Sequence, residues 1–483
     1  MNYRLIFKMI GSGLRIEALF LLLPLLVSFF YGSGDHWAFI WSIAILVVIG
    51  TLLTRLRPKD NNFRLRDAYA VAGLAWLLFS LFGTLPFYFS GYFQSFIDCV
   101  FETVSGFTTT GASVLADVEI LPQGIMFWRS LSQWIGGMGV LLFMMAVIPS
   151  LNASSINILR AETTGPAPDR IAPSIRETAR IMYLIYLAMT IVLVALLCAA
   201  GLPFFDSVVN AFATAGTGGA SIMHSSIAAY NNIAAEIIIT IFMFLFGISF
   251  TLYFFLLDRK FAKFVKDSEL RFYFGVAIVA IIIITFNIFD MYDGMPNALR
   301  YASFQVSSIV STTGFWTADF NLWPTLSQII LVLLMIVGGC GASTSGGMKQ
   351  IRVLILIKAA KNELIKIFHP GSVKAVSVNG RSISNDAVSK IAIFFFVYFA
   401  FFVVAVMLIS IEGHDIVSNA TAVISAMSNI GPGIGTIGPS GNYAAFTPFS
   451  KGVLSFCMIA GRLEFFPILI LLVPTAWKRG AMS

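Results

Sequence analysis

The sequence predicts an all-α membrane protein: two N-terminal transmembrane helices, then four repeats of helix, re-entrant pore loop and helix, arranged pseudo-four-fold around one pore. Three observations predict this fold. Hydrophobic residues make up 58% of the 483 residues and charged residues only 11%, whereas soluble domains are about one quarter charged. Many apolar runs reach the roughly 20 residues that span a bilayer as a helix. A short Gly-rich tip also recurs four times between two such runs.

Residues 1–66 are predicted to form an N-terminal two-helix region. The apolar segments 17–31 and 37–54 are each expected to form one helix. Lys8 and Arg15 precede the first segment as they would in a signal peptide. No small-residue cleavage site follows the segment, so we expect an uncleaved first helix.

Four pore repeats are predicted to follow, and each combines a long helix, a half-helix with a glycine tip, and a second long helix. Their bounds are 67–160, 161–266, 267–375 and 376–483. The long helices are expected near 68–89 and 124–149, 178–201 and 232–257, 271–289 and 325–337, and 388–411 and 450–476. Each tip is too short to cross the membrane, and bare backbone at that depth is tolerated only inside protein or against water.

The repeats share landmarks when they are aligned on Gly111, Gly219, Gly314 and Gly431. Asp98 then falls on Asp206, and Thr109 falls on Thr217 and Thr312. Ser105 matches Ser308 and Ser425. Low complexity makes all membrane sequences somewhat alike, but it does not explain polar matches in a constant order. The alignment therefore indicates internal repetition.

The basic residues predict the orientation of the chain. If the helices alternate, all 31 Lys and Arg residues lie on one side except four, which are Arg129, Arg300, Lys451 and Arg462. An excess of Lys and Arg marks the cytoplasmic side. The glycine tips then enter the membrane from outside. We expect the basic residues behind the net charge of +7 to orient the helices and to contact membrane lipid, and we expect no nucleic-acid partner.

The tips have the composition of a cation filter. Four loops around one axis can present a ring of carbonyl oxygens that replaces the hydration shell of an ion. Glycine permits the backbone angles that such a ring requires, and the negative ends of the half-helices favour a cation. The residues predicted to bind the cation through their backbone carbonyls are Thr109, Thr110, Gly111, Thr217, Gly218, Gly219, Thr312, Thr313, Gly314, Asn429, Ile430 and Gly431.

The four tips resemble the filter loops of the Trk/Ktr/HKT family of potassium transporters. The segments that carry the resemblance are FETVSGFTTTGAS, ATAGTGGAS, VSSIVSTTGFW and SAMSNIGPGIG, with GGCGASTSGGMKQIRV in the third repeat and GRLEFFPILILLVPTAW at the last helix. The two extra N-terminal helices match the TrkH branch, and the resemblance covers nearly the whole chain. Pro432 after Gly431 departs from the Thr-rich pattern, so the geometry of the fourth loop is the least determined.

The resemblance implies a potassium uptake subunit of the bacterial cytoplasmic (inner) membrane. It implies a homodimer with one pore in each protomer, controlled by a cytosolic nucleotide-binding ring of the TrkA type. K⁺ is the transported ion, and no organic cofactor is expected on this chain. In this family a serine at the glycine position of the first loop accompanies Na⁺ permeation, so the four glycines favour K⁺.

Two further features suggest a gate. The stretch Gly338–Gly347 interrupts an apolar run with Gly, Ser and Thr, and it forms either a plain connection or a mobile plug beneath the filter. The gating residues expected are Gly338, Gly339, Gly341, Gly346, Gly347 and Arg462. Arg462 is predicted to lie near the middle of a continuous helix of 450–476, too deep to reach the interface. It is either a structural arginine bonded to carbonyls or a fixed positive charge under the filter.

Three acidic residues near the tips also leave alternatives open. Asp98 and Asp206 are first-turn acids of their half-helices or attract cations to the outer mouth. Glu102 either buttresses the filter by hydrogen bonds or tunes its charge.

Two rival functions remain from the sequence. A Na⁺-permeable or ion-coupled K⁺ symporter shares the same fold features. A membrane enzyme would need a nucleophile, base or metal ligands gathered at depth, and no such constellation, Walker A sequence or CxxC spacing is present.

Overall fold

The computed structural model of the protein describes residues 2–57, 65–139, 175–370 and 375–474. Within these ranges six helices are long and apolar enough to cross a membrane, or seven if one bent pair counts as a single span. The prediction of an all-helical membrane protein is confirmed. The only strands of the described residues form a single two-stranded hairpin.

The N-terminal region contains α1 (Tyr3–Phe20), α2 (Leu22–Tyr31) and α3 (His36–Thr54). The first helix begins at Tyr3 rather than near residue 17, so that predicted boundary is wrong. Ile6, Ile10 and Leu14 form a buried stripe at helical spacing, and this stripe extends the helix through its more polar first half. Gly32 ends α2 in a left-handed conformation with φ of 62°.

The first predicted repeat contains α4 (Leu65–Gly83), α5 (Leu85–Ser90), the half-helix α6 (Phe96–Phe107) and α7 (Gln123–Gly137). The helix expected over 68–89 is therefore divided in two. Ser95 caps α6, since its side chain accepts a hydrogen bond from the backbone of Asp98. Residues 140–149 of the second predicted helix lie outside the described residues.

The second predicted repeat contains α8 (Ile175–Ala199), the half-helix α9 (Phe204–Gly216), α10 (Ile233–Phe246), α11 (Phe250–Leu257) and α12 (Phe261–Val265). The prediction of one helix over 232–257 is wrong, because α10 and α11 meet at 94°. Ser249 has extended ψ of 125° at the break, and the amide of Phe250 donates outside the helix to the carbonyl of Ala342 at 3.0 Å.

The third predicted repeat contains α13 (Ser268–Asn287), the half-helix α14 (Met295–Val310), α15 (Thr325–Val337) and α16 (Gln350–Phe368). The helices expected near 271–289 and 325–337 correspond to α13 and α15. Gly338 ends α15 with φ of 69°, and a non-helical segment follows before α16.

The fourth predicted repeat contains β1 (Ser377–Val378), β2 (Arg381–Ser382), α17 (Asn385–Ile409), the half-helix α18 (Ile416–Ser428), α19 (Pro448–Arg462) and α20 (Phe466–Leu472). The prediction of a continuous helix over 450–476 is wrong. Glu464 and Phe465 have φ of 56° and 65°, so the helix breaks there. Pro467 opens the first turn of α20, a position that suits a residue with no amide hydrogen.

The half-helices lie at the centre of the molecule in a cyclic arrangement. Each one packs against the helix that follows the half-helix of the preceding repeat: α9 on α7, α14 on α10, α18 on α15, and α6 on α19. The last of these contacts joins the first repeat to the fourth. The four re-entrant units therefore close into a ring.

Candidate functional site

The four tips have the same backbone turn. In each, the amide of the residue before the aligned glycine donates to the carbonyl five residues earlier. The pairs are Thr110 to Ser105 at 2.8 Å, Gly218 to Ala213 at 2.9 Å, Thr313 to Ser308 at 2.8 Å and Ile430 to Ser425 at 3.1 Å. The fourth tip shares this turn despite Pro432, so its departure in sequence does not change the hydrogen bond.

Two residues of every tip have left-handed backbone angles. The residue two before the glycine has φ of 57° at Thr109, 55° at Thr217, 59° at Thr312 and 55° at Asn429. The glycines follow with φ of 76° at Gly111, 63° at Gly219, 83° at Gly314 and 100° at Gly431. A non-glycine residue rarely adopts such angles, and their repetition at four aligned positions indicates a shared functional geometry.

We call Gly111, Gly219, Gly314 and Gly431 the glycine ring, because each faces the carbonyl of the next tip. A Cβ atom added to Gly111 would collide with the Gly218 oxygen. The same collisions pair Gly219 with Thr313, Gly314 with Ile430, and Gly431 with Thr110. These close approaches link the first repeat to the second, the second to the third, the third to the fourth, and the fourth back to the first. The backbones thus approach one another too closely for any side chain at these positions.

A cavity of about 90 Å³ lies against all four ring glycines, with room for a few water molecules. In the first and fourth tips, two side-chain oxygens are buried without a hydrogen-bond partner, Thr109 Oγ1 and Asn429 Oδ1. Oxygen atoms are the ligands that hard monovalent and divalent cations prefer. The donor set at the ring therefore fits a cation.

Glu102 lies behind the first tip and buttresses it. Its carboxylate accepts hydrogen bonds from Ser113 Oγ at 3.1 Å and from the amide of Val114 at 3.2 Å. It also pairs with Arg129 Nε at 2.5 Å, and Arg129 continues to the carbonyl of Ser221 at 2.9 Å. The geometry favours the buttress over the charge-tuning alternative, because Arg129 neutralises the carboxylate.

Gln133 supports the second tip, and sequence reasoning missed it. Its Nε2 donates to the carbonyl of Gly218 at 2.9 Å, and its Oε1 accepts from the amide of Ala220 at 3.2 Å. The available signal was its spacing of four residues from Arg129, which places both polar side chains on one face of α7. Tyr443, whose hydroxyl donates to the Gly431 carbonyl at 2.7 Å, was also missed.

The two first-turn acids are held by protein partners. Asp98 is buried and forms an ion pair with Lys451 Nζ at 2.7 Å, which joins the first repeat to the fourth. Asp206 accepts from the hydroxyl of Tyr230 at 3.1 Å. For Asp98 the structural alternative is favoured, because its charge is already compensated.

The glycine-rich segment, Gly338–Gly347, lies against the inner end of two tips. The amide of Gly346 donates to Thr312 Oγ1 at 2.6 Å. A Cβ atom at Gly346 would collide with the carbonyl of Ser428, which precedes the fourth tip. The segment is therefore in direct contact with the third and fourth tips.

Arg462 is the last residue of α19 and not the middle of a longer helix. Its guanidinium donates to the carbonyl of Thr344 at 2.8 Å, and to those of Gly136 and Gly137 at 2.6 and 2.7 Å. It thus joins the glycine-rich segment to the end of α7 through bonds to carbonyls, as the structural alternative expects. Glu464, two residues further on, forms an ion pair with Arg352.

Comparison with known proteins shows that this chain is similar to cation transport proteins. A family model described as TrkH, cation transport protein, matches residues 36–478. The Trk system potassium uptake protein TrkH of Salmonella typhimurium is 33% identical over 99% of this chain and all of its own length. TrkG of Escherichia coli K12, also a Trk system potassium uptake protein, is 31% identical over 99% of both chains. The crystal structure of the potassium transporter TrkH from Vibrio parahaemolyticus superposes with a TM-score of 0.89 at 30% identity, covering 99% of this chain and all of that one.

Proposed function

The chain belongs to the TrkH family of cation transport proteins, and from that premise we propose that it takes up K⁺ through a channel-like pore centred on the glycine ring. It is a multi-pass inner-membrane protein. Its relatives are named as potassium uptake proteins, so the chain is a transporter and not an enzyme.

The observation that carries the proposal is the closed cycle of contacts among the four tips. A dehydrated K⁺ ion needs oxygen ligands on several sides at once, and a backbone carbonyl from each of the four tips lies beside a ring glycine of its neighbour, which supports such a site. The proposed filter consists of Thr109, Thr110, Gly111, Thr217, Gly218, Gly219, Thr312, Thr313, Gly314, Asn429, Ile430 and Gly431. The half-helices end at these residues, and the negative ends of their dipoles attract a cation.

We propose that the glycine-rich segment and Arg462 form the gate. The segment contacts the inner side of the tips, and its glycines allow backbone movement at low steric cost. Arg462 supplies a positive charge and holds the segment by its bond to Thr344. In this arrangement the segment obstructs the route from the filter to the cytosol until its contacts are released.

We propose that the two-helix region and the four pore repeats have distinct roles. The region before residue 67 packs around the pore, and the repeats build it. We further propose a homodimer and a cytosolic TrkA-type nucleotide-binding ring, because basic loops offer an extended surface on the cytosolic side.

Reversal potentials of the purified protein in opposed K⁺ and Na⁺ gradients test the function. A K⁺-selective pore gives a reversal potential close to the K⁺ equilibrium value, and it shifts when only the K⁺ gradient is changed. A reversal potential set by Na⁺, or one that moves with the proton gradient, would support the Na⁺-permeable or ion-coupled alternative instead.

A further inference from the structure

A cleft of about 650 Å³ opens on the side of the molecule that the basic residues mark as cytosolic. Its walls come from α11, α12, the start of α13, the first turns of α16 and the hairpin β1–β2. The volume lies in the range of clefts that hold a small-molecule ligand. The cleft is separate from the glycine ring and from the cavity above it.

Cationic side chains surround the cleft, namely Lys263, Lys266, Arg271 and Arg381, and all are exposed. Among the described residues, Lys263, Lys266 and Arg271 form no ion pair. Arg271 is oriented by hydrogen bonds to the carbonyls of Asp267 and Lys266. Cations gathered at a concave surface raise the local concentration of an anion.

The two carboxylates of the cleft are already engaged by protein groups. Asp267 accepts from the amide of Leu270 at 2.8 Å and from Asn379 Nδ2 at 2.6 Å. Glu269 is buried and accepts from the amides of Gly341 and Ile351 at 2.6 and 3.1 Å. The cleft is lined by these two carboxylates and by the four cationic side chains, so a positive excess faces it.

The rest of the cleft is apolar and lies at the edge of the membrane. Leu252, Phe255 and Ile355 line it, and α13 enters its membrane span from Ser268 onward. Phe261 and Val265 of α12 are 60% and 65% exposed, which places large apolar side chains beside the lysines. Such a combination is typical of helices that lie in the membrane interface.

We propose that this cleft binds an anionic phospholipid of the cytosolic leaflet. Lys263, Lys266 and Arg271 would hold the headgroup phosphate, since cationic side chains beside the membrane attract anionic lipid. An acyl chain would follow the apolar wall of Leu252 and Phe255. Charge and apolarity together favour a lipid over a free anion, which would leave the apolar wall exposed to water.

The bound lipid would contact the glycine-rich segment directly. Gly341 and Ala342 line the cleft, and the amide of Phe250 in α11 bonds to the carbonyl of Ala342. The lipid therefore contacts the helix and the segment at once. A ligand that binds one arrangement of α11 and the glycine-rich segment more tightly than another stabilises that arrangement.

Native mass spectrometry of the full chain in detergent tests the site without any measurement of transport. Phosphatidylglycerol is titrated against phosphatidylcholine. The wild-type protein is expected to retain one phosphatidylglycerol at least about ten-fold more tightly than phosphatidylcholine, given the attraction of each cation to anionic lipid. The variant Lys263→Gln/Lys266→Gln/Arg271→Gln is expected to lose this preference.

A matched control carries Lys361→Gln/Lys366→Gln/Lys390→Gln, three cations of the same side that do not line the cleft. It is expected to keep the wild-type preference. The inference is overturned if the cleft variant binds phosphatidylglycerol as the wild type does, or if both triple variants lose it equally. Displacement of the lipid by inorganic phosphate at equal phosphate concentration would overturn it too, because the ligand would then be a free anion.

Discussion

Gly111, together with Gly314, is the ring position at which an added Cβ atom meets the least space. Its φ is 76° and a Cβ atom would collide with the Gly218 oxygen. We expect Gly111→Ser to move that carbonyl and to admit Na⁺. The K⁺/Na⁺ permeability ratio should fall roughly ten-fold, the result of losing about 1.4 kcal/mol of discrimination. Reversal potentials in bi-ionic gradients measure the ratio.

Gly275→Ser is the matched control for this variant. Gly275 lies in α13, has no atom within 4 Å of an added Cβ, and has ordinary helical angles. It should keep the wild-type ratio. An unchanged ratio and normal flux in Gly111→Ser would remove Gly111 from the filter.

Arg462 places a positive charge beside the glycine-rich segment. At an effective dielectric constant near 20, a unit charge about 10 Å from a permeating cation opposes it by roughly 1.7 kcal/mol. We expect Arg462→Ala to conduct K⁺ faster, by up to about 18-fold if all of this opposition is removed, with selectivity kept. Tracer uptake into proteoliposomes at matched protein content measures this.

Arg462→Lys separates the charge from the hydrogen bonds. Lysine keeps the charge, but it lacks the planar guanidinium with which arginine bonds to the carbonyls of Thr344, Gly136 and Gly137 at the same time. Slow uptake by the lysine variant and fast uptake by Arg462→Ala would assign the barrier to charge. Slower uptake by a well-folded Arg462→Ala would mean that the arginine serves structure alone.

Side-chain partners at the site were harder to predict than backbone turns. The sequence alignment identified the ring glycines, because their spacing repeats within each unit. It did not pair Asp98 with Lys451, because that contact joins the first repeat to the fourth. It did not pair Glu102 with Arg129, because that contact depends on how α6 packs on α7. The functional alternatives for both acids stayed open for that reason.

The glycine-rich segment is the element on which the gate proposal depends. We expect deletion of Ala342–Thr344 to raise K⁺ flux without a regulatory subunit. The deletion removes the carbonyl of Ala342 that accepts from Phe250 and the carbonyl of Thr344 that accepts from Arg462. Flux of the purified protein in liposomes is the measurement, and an increase of several-fold is expected if the segment obstructs passage.

Thr344→Ala provides the control, since it keeps the length and every backbone carbonyl of the segment. It loses only the hydroxyl bond to the Phe246 carbonyl at 3.2 Å, so its flux should stay near that of the wild type. Reduced or unaltered flux in a folded deletion variant would contradict a plug.

Helix breaks and the hairpin were not predicted from the sequence, and the reasons are physical. Hydropathy is continuous across 232–257, so an apolar pattern cannot reveal a bend of 94°. In 450–476 the apolar run is interrupted by Arg462, Glu464 and Pro467, and the proline was an available signal for the break at Glu464 and Phe465. The hairpin did carry a signal. Asn379-Gly380 has φ of 52° and 76°, the angles of a tight turn that favours this dipeptide.

At the scale of the whole molecule, the four-fold order followed from repetition. Four similar units cannot bury their half-helices separately, and packing each on its neighbour satisfies all four at once. The closing contacts of α6 with α19, and of Gly431 with Thr110, complete that order. The bounds of the repeats stay a prediction, because residues 140–174 lie outside the described part of the chain.

If a cytosolic partner binds this protein, it should contact the exposed basic residues on the cytosolic side of the molecule. Lys361 and Lys366 of α16 are exposed there. Charges that only orient helices and touch anionic lipid need no protein partner. A partner docked on them would instead make complementary contacts that weaken as salt rises.

Pull-down from native membranes distinguishes these two roles. We expect the tagged chain to recover a soluble nucleotide-binding subunit at low salt and to recover several-fold less of it at high salt. Lys361→Glu/Lys366→Glu should lower the yield further, because reversed charges repel a surface that is complementary to lysine. The variant Lys263→Gln/Lys266→Gln/Arg271→Gln serves as the comparison, since it alters the lipid cleft and leaves these α16 lysines in place. If repeated pull-downs recover no subunit from membranes that retain K⁺ uptake, the basic face serves orientation and lipid contact alone.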